Sequence, residues 1–184
     1  MIKNLIFSTG NVHKFQEAQA VMSRFDIELK QVKISIDEIQ SDSFKEIALD
    51  KAKKSYELIK KPLFVNDSSW IFSATKGFPG PFMKYMNQWL TPEDFINLMS
   101  GHNNREVILQ EIVVFTDGII TKIFKKEIKG QILRQPKGEV GSASDKIISF
   151  SPVGKSISEI YDSNTIEHES DSVWKDLAFW FSQK

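Results

Sequence analysis

The segment Ser8-Thr9-Gly10-Asn11-Val12-His13-Lys14 sets a small, glycine-containing loop between an apolar run and a helical period, with a lysine in the first helical turn. At a helix start the backbone N–H groups lack intrahelical partners and the dipole is positive. A phosphate is a natural occupant there, and Lys14 would add charge. Gly and Asn also fill such turns for backbone reasons alone, so this loop does not by itself define a site. Asp67 follows the apolar run Leu63-Phe64-Val65, and a carboxylate at a strand end can face a cleft rather than the core. Glu38, within Ile36-Asp37-Glu38-Ile39-Gln40, is a second acid just ahead of a predicted helix. Two carboxylates facing a triphosphate could share Mg²⁺, a hard cation that takes oxygen ligands and substrate phosphates rather than a complete protein cage. Singly, either acid is more simply explained as a solvated surface group or a helix cap. Lys51 and Lys84 are likewise ordinary in a lysine-rich chain. Phe78, Phe82, Tyr85 and Trp89 are of a kind that builds cores more often than it stacks on bases.

Other chemistries are excluded by what the chain lacks. Its three histidines, His13, His102 and His168, have no H-x-x-x-H spacing, which argues against zinc. The serines beside Asp67 sit in no G-x-S-x-G elbow. There is no cysteine, which removes disulfides, thiolate metal sites and thiol nucleophiles together and fits a reducing compartment. Lys plus Arg and Asp plus Glu number 24 each, so no global field exists to hold a nucleic-acid polymer or an acidic membrane, and any phosphate must be bound locally. Apolar runs such as Ile108 to Phe115 fall far short of the roughly 20 residues that span a bilayer. Met1-Ile2-Lys3-Asn4-Leu5 lacks the apolar region of a signal peptide, and a cytoplasmic setting is expected.

The elements that must position these residues follow from periodicity. At 184 residues, 41% of them hydrophobic, the chain suits a single domain of residues 1–184, formed as two closely packed lobes around a real core. Ile2 to Ser8 is predicted as a strand, followed by a helix carrying Phe15, Ala18, Val21 and Met22 on one face. A second strand is expected over Ile27 to Val32. Ser43-Phe44-Lys45-Glu46 reads as a capping box opening a long helix, with Pro62 beyond its end. Leu63 to Val65 reads as a short buried strand. Gly77-Phe78-Pro79-Gly80-Pro81 is too rich in breakers for either regular state and precedes a short aromatic helix over Phe82 to Trp89. Thr91-Pro92 begins a further helix, with Gly101 at its end. Asp117-Gly118 is expected to join strands Val107 to Thr116 and Ile119 to Ile128 as a hairpin. Strands are also expected at Ile147 to Ser151 and Ser156 to Ile160, with a closing helix from Asp171. Early strand-helix alternation with a late hairpin implies a mixed α/β architecture.

In order and spacing these segments resemble the inosine triphosphate pyrophosphatase family, which hydrolyses non-standard purine nucleoside triphosphates to monophosphate and pyrophosphate. The resemblance runs through Thr9-Gly10-Asn11 with Lys14 and Glu17, then Glu38 ahead of the helix bearing Lys51. It continues through Val65-Asn66-Asp67-Ser68, Pro79-Gly80-Pro81-Phe82-Met83-Lys84, Gly130-Gln131-Ile132, and Gly138-Glu139-Val140-Gly141 with Asp145. The resemblance implies an elongated α/β molecule whose long central mixed sheet is flanked by helices, with a nucleotide cleft between two lobes and commonly a homodimer. It implies Mg²⁺ held by Glu38 and Asp67, with Asp67 positioning or deprotonating the attacking water. Thr9, Gly10, Asn11 and Lys14 would meet the phosphates, Lys14 also serving catalysis. Lys51, Ser68, Lys84, Asp145 and His168 would be further substrate contacts.

Three departures from the family pattern bear on function. Asn66-Asp67 stands where two acids are usual, and restoring an acid by Asn66→Asp is expected to preserve or raise turnover. Ser142-Ala143-Ser144-Asp145 replaces the family's aromatic base-binding segment, and Glu167-His168-Glu169 replaces Ser-His-Arg. Loss of a stacking ring and of a guanidinium fork implies altered or relaxed base choice. Two other readings remain open from sequence: a Maf-type pyrophosphatase acting on pyrimidine or modified nucleotides, and a non-catalytic descendant that binds a nucleotide or a partner.

Overall fold

The computed structural model describes residues 3–163 and 172–184. β1 (Lys3–Ser8) and β2 (Ile27–Val32) pair in parallel from Lys3↔Ile27 to Ser8↔Val32, and β1 pairs in parallel with β3 (Leu63–Phe72) at Ile6↔Leu63 and Phe7↔Phe64. Parallel neighbours need crossover connections. Helix α1 (Val12–Met22) provides the first, and α2 (Phe44–Ile59) links β2 to β3. With β4 (Pro79–Gly80), β5 (Glu106–Thr116), β6 (Thr121–Ile132) and β7 (Ile148–Ser149), the strands form one seven-stranded mixed sheet. Its order is β2-β1-β3-β5-β6-β7, with β4 antiparallel on β3. The mixed α/β architecture expected from the sequence is thus what the chain adopts.

Residues fall into two compact units. The first comprises the chain up to Asp67, Glu111–Lys126 and the C-terminal helix α6 (Val173–Ser182). Its strands bury side chains on both faces, as parallel strands do. One face, with Leu5, Phe7, Phe64, Val113 and Phe115, packs on Ala18, Val21 and Met22 of α1 and on Val173, Trp174, Leu177 and Ala178 of α6. Phe7 stacks on Phe64 with ring centroids 4.3 Å apart. The opposite face, with Leu63, Val65, Ile112 and Val114, packs on Ala48 and Ala52 of α2. The β5–β6 turn carries Gly118 at φ +87°, where a Cβ would lie 2.3 Å from the Tyr56 ring, so close approach as well as backbone conformation requires glycine.

The second unit comprises Ser68–Gln110 and, among the described residues, Glu127–Ser163. Its core joins Phe72, Val107, Ile132, Ile147 and Ile148 to Met83 and Met86 of α3 (Met83–Trp89) and to Phe95 and Met99 around α4 (Pro92–Leu98). Thr91 and Asp94 form a complete capping box on α4, with Pro92 in the first turn, as its sequence implies.

Four expectations need correction. β3 continues through Asn66-Asp67-Ser68 to Phe72, so Asp67 stands mid-strand. Pro79-Gly80 is a short strand rather than an irregular loop. Ser156 to Ile160 is not a strand: Ser156 accepts from Glu159 N and Glu159 from Ser156 N, a capping box that opens helix α5 (Ile157–Asp162). At α2 the expected box forms only halfway. Ser43 Oγ accepts from Glu46 N, but the Glu46 carboxylate takes Ser41 Oγ, which in turn accepts from Ser43 N. The start expected for the last helix, Asp171, lies outside the described residues, and the described helix begins at Val173.

Candidate active site

The first unit brings a loop, two acids and two lysines together at one end of its sheet, where β1 finishes. Thr9 N donates to Val32 O at 3.1 Å and Gln31 Nε2 to Thr9 O at 3.2 Å, which pins the end of β1 to β2. Asn11 is the N-cap of α1: its Oδ1 accepts from Lys14 N at 3.1 Å, and its own N–H donates to Thr9 Oγ1 at 3.1 Å. The acceptor oxygens of Thr9 and Asn11 are therefore used inside the loop. The hydroxyl hydrogen and the amide Nδ2 are donors that suit a phosphate. Gly10 has no left-handed backbone, and a Cβ there would meet only the Lys33 stem at 3.5 Å. The fold therefore does not demand glycine at position 10.

Asp67 shares a strand face with Leu63 and Val65, the face that packs on α2. Lys51 extends from α2 between the two acids, its Nζ 2.8 Å from Glu38 Oε1 and 3.6 Å from Asp67 Oδ2. Lys54 Nζ donates to Asp37 O at 2.6 Å and so holds the irregular segment that presents Glu38. Behind the site Ser8 Oγ and Ser55 Oγ, both buried, lie 3.2 Å apart and tie the end of β1 to α2. Burial opposes the charge on Lys51, but Asp67 and Glu38 outweigh it and raise its pKa above that of an ordinary lysine. Lys14 differs: burial of its ammonium pushes its pKa down. Glu111 and Asp67 pull the other way, Lys51 adds to the lowering, and Glu17 opposes it weakly.

Glu111 escaped the sequence reading. It sits on β5 in phase with Val113 and Phe115, the face that packs on α1, and it exerts the largest charge effect on Lys14. The signal was present: Gln110-Glu111 breaks an otherwise apolar strand. Asn66 also has a clearer role. It is buried, its Nδ2 donates to Ile112 O at 3.1 Å, and its Oδ1 has no hydrogen-bond partner among the described residues. Asn66→Asp would lose the donor and set a carboxylate against a carbonyl oxygen, which costs about 1–3 kcal/mol. We expect urea unfolding of Asn66→Asp to show that loss, so any effect on turnover must be read against lowered stability.

Among the described residues no three His, Cys, Asp or Glu side chains gather as a metal cluster. What fits Mg²⁺ is smaller: two carboxylates already converge on one cation, the Lys51 ammonium. Carboxylates offer hard oxygen atoms of the type Mg²⁺ accepts when phosphates complete its shell.

The remaining expected contacts belong to the second unit. Ser68 follows Asp67 on β3, and Lys84 is exposed on α3. Asp145 builds a turn, its Oδ2 accepting from Ser142 N at 2.7 Å and Ser142 Oγ at 2.8 Å. Gly141, at φ +87°, leaves room for that carboxylate, which an added Cβ would meet at 2.8 Å. Ser144 is buried and exchanges hydrogen bonds with Asn87. The segment that replaces the family's aromatic is thus a packed polar turn with no ring to offer a base. His168 lies outside the described residues.

Comparison with known proteins identifies the family and the fold. The model of the Ham1 family matches residues 5–175. A protein of Methanopyrus kandleri named dITP/XTP pyrophosphatase is 35% identical over 152 residues, covering 82% of this chain and 80% of that protein. Inosine triphosphate pyrophosphatase 2 of Trypanosoma cruzi is 32% identical over 158 residues, covering 84% and 79%. A solved HAM1 protein of Coxiella burnetii superimposes with a TM-score of 0.80 at 18% identity, covering 99% of this chain and all of the other, which speaks to the fold alone. A family model over residues 5–175 and relatives above 30% identity show that the chain belongs to the Ham1 family.

Proposed function

We propose that this protein hydrolyses a nucleoside triphosphate to the monophosphate and pyrophosphate, with relaxed choice of base. One observation carries the reading: Lys51 joins Glu38 and Asp67 while Lys14 feels Asp67 and Glu111, so acids and ammonium groups alternate beside a loop built to donate hydrogen bonds. Such a cluster can hold a polyphosphate without a strong net field. Relatives named dITP/XTP pyrophosphatase support the same reaction.

In this mechanism Thr9 Oγ1–H, Asn11 Nδ2–H and the Lys14 ammonium orient the phosphates, and Lys51 and Lys84 add charge to the substrate. Asp67 accepts a proton from the attacking water or fixes its orientation. Glu38 and Asp67 would hold Mg²⁺, which when bound offsets phosphate charge and stabilises the leaving pyrophosphate. Substrate phosphates entering near Lys51 would compete with Glu38 and Asp67 for its ammonium. Asp145 and His168 are assigned to the substrate only through the family resemblance. A homodimer and a cytoplasmic setting belong to the same proposal. Among the described residues no helix is long and apolar enough to cross a membrane.

Base choice is the point of departure. The polar turn Ser142 to Asp145 offers no stacking platform, a contact worth about 1–3 kcal/mol per base elsewhere. A panel of purine and pyrimidine triphosphates with Mg²⁺ tests the proposal. We expect pyrophosphate release from an inosine- or xanthosine-type nucleotide, with other bases of the panel cleaved at comparable kcat/KM. No cleavage by folded protein would overturn the reaction, and sharp selection of a single base would overturn the relaxed specificity.

A further inference from the structure

A cavity of about 290 Å³ lies wholly within the second unit, lined by Asn97, Ser100, His102, Asn103, Arg105 and Arg134 among others. None of its lining residues is acidic. Arg105 is fixed in place. Its Nε donates to Ile132 O at 3.0 Å, one terminal nitrogen to Met99 O at 3.2 Å and the other to Leu133 O. Carbonyl oxygens satisfy part of the guanidinium fork without neutralising its charge, and its remaining N–H groups have no hydrogen-bond partner among the described residues. Arg134 comes close enough for its like charge to act on Arg105. Burial first and Arg134 second lower the pKa of Arg105. Arg134 itself forms no ion pair among the described residues.

Two guanidinium groups that line one acid-free concavity repel each other, and neither forms an ion pair among the described residues. A tetrahedral oxyanion would offset that repulsion, because a planar guanidinium matches phosphate oxygens with paired N–H donors. His102, Asn97, Ser100 and Asn103 add polar groups around the same space. We propose that this cavity is an anion site of its own, separate from the loop at Thr9 to Lys14, and that its ligand is a phosphate-class oxyanion. The inference does not depend on the proposed hydrolysis.

The experiment is an amide chemical-shift titration of the ¹⁵N-labelled protein with inorganic phosphate and, separately, with pyrophosphate, at constant ionic strength set by chloride. The expected result is saturable movement of the Ser100 to Arg105 amides. Arg134→Gln, a change at an exposed side chain, should weaken that response at least tenfold and leave the Thr9 to Lys14 amides responding as before. Lys14→Gln should do the reverse. Saturation by pyrophosphate but not phosphate would assign the site to a diphosphate group, and saturation by both to a single phosphate. A linear, unsaturated drift, or a response unchanged in Arg134→Gln, would overturn the site. Silence at Thr9 to Lys14 alongside a response at Ser100 to Arg105 would count against the proposed hydrolytic site and leave this one standing.

Discussion

Asp67→Ala is expected to lower kcat by about 10²–10⁴-fold, the range over which a positioned general base contributes. Asp67 stands within β3, with β1 on one side and β5 on the other, and its carboxylate meets Lys51 rather than the core. Removing it should therefore cost catalysis far more than folding, because Lys51 keeps Glu38 at 2.8 Å. Asp67→Asn separates charge from shape: it preserves volume and removes the base, and should fall in the same range. Steady-state rates with melting curves for both variants check this. Undiminished turnover in Asp67→Ala would overturn the assignment of the base.

Lys14→Gln should reduce kcat/KM by about 10²–10³-fold, the size of effect seen when one donor to a developing oxyanion is removed. The pH dependence carries a sign. Burial lowers the pKa of Lys14, so in the free enzyme its charge is lost at a pH below that of an ordinary lysine. kcat/KM should fall as pH rises through that lowered value. Bound triphosphate favours the ammonium, so the corresponding fall in kcat should appear at higher pH. Glu111 opposes the lowering, and Glu111→Gln should therefore move the kcat/KM limb to still lower pH, whereas Lys14→Gln should remove the limb altogether. Coincident limbs in kcat and kcat/KM would contradict contact between Lys14 and the phosphates.

Much of this arrangement could be read from sequence because it is local. β2 runs from Ile27 to Val32 as its alternation implies, and Thr91-Pro92 caps a helix because both residues act within one turn. Short-range signals also misled. Ser156-x-x-Glu159 is a capping box as plain as any in the chain, but β-formers around it suggested a strand. The length of β3 was hidden because Asn66, Asp67, Ser68 and Ser69 have low strand propensity, which the sheet overrides through strand pairing and burial.

The site divides along the same line. Thr9, Asn11 and Lys14 are close in sequence, and their loop was visible as a loop. Glu38, Lys51 and Asp67 are brought together only by packing α2 on the sheet, and the order of motifs, not their chemistry, pointed to them. Glu111 lies more than forty residues from Asp67 in sequence and gave only a polar interruption in an apolar strand. The orphaned oxygen of Asn66 depends on a hydrogen bond to Ile112 that no local pattern encodes.

The most direct measurement is the identity of the products from one inosine-type triphosphate with Mg²⁺, resolved by ³¹P NMR as the reaction proceeds. The site described here predicts monophosphate and pyrophosphate in equal amounts from the first turnover, slowed about 10²–10⁴-fold by Asp67→Ala. Diphosphate with inorganic phosphate, or monophosphate and pyrophosphate formed unchanged by Asp67→Ala, would contradict it.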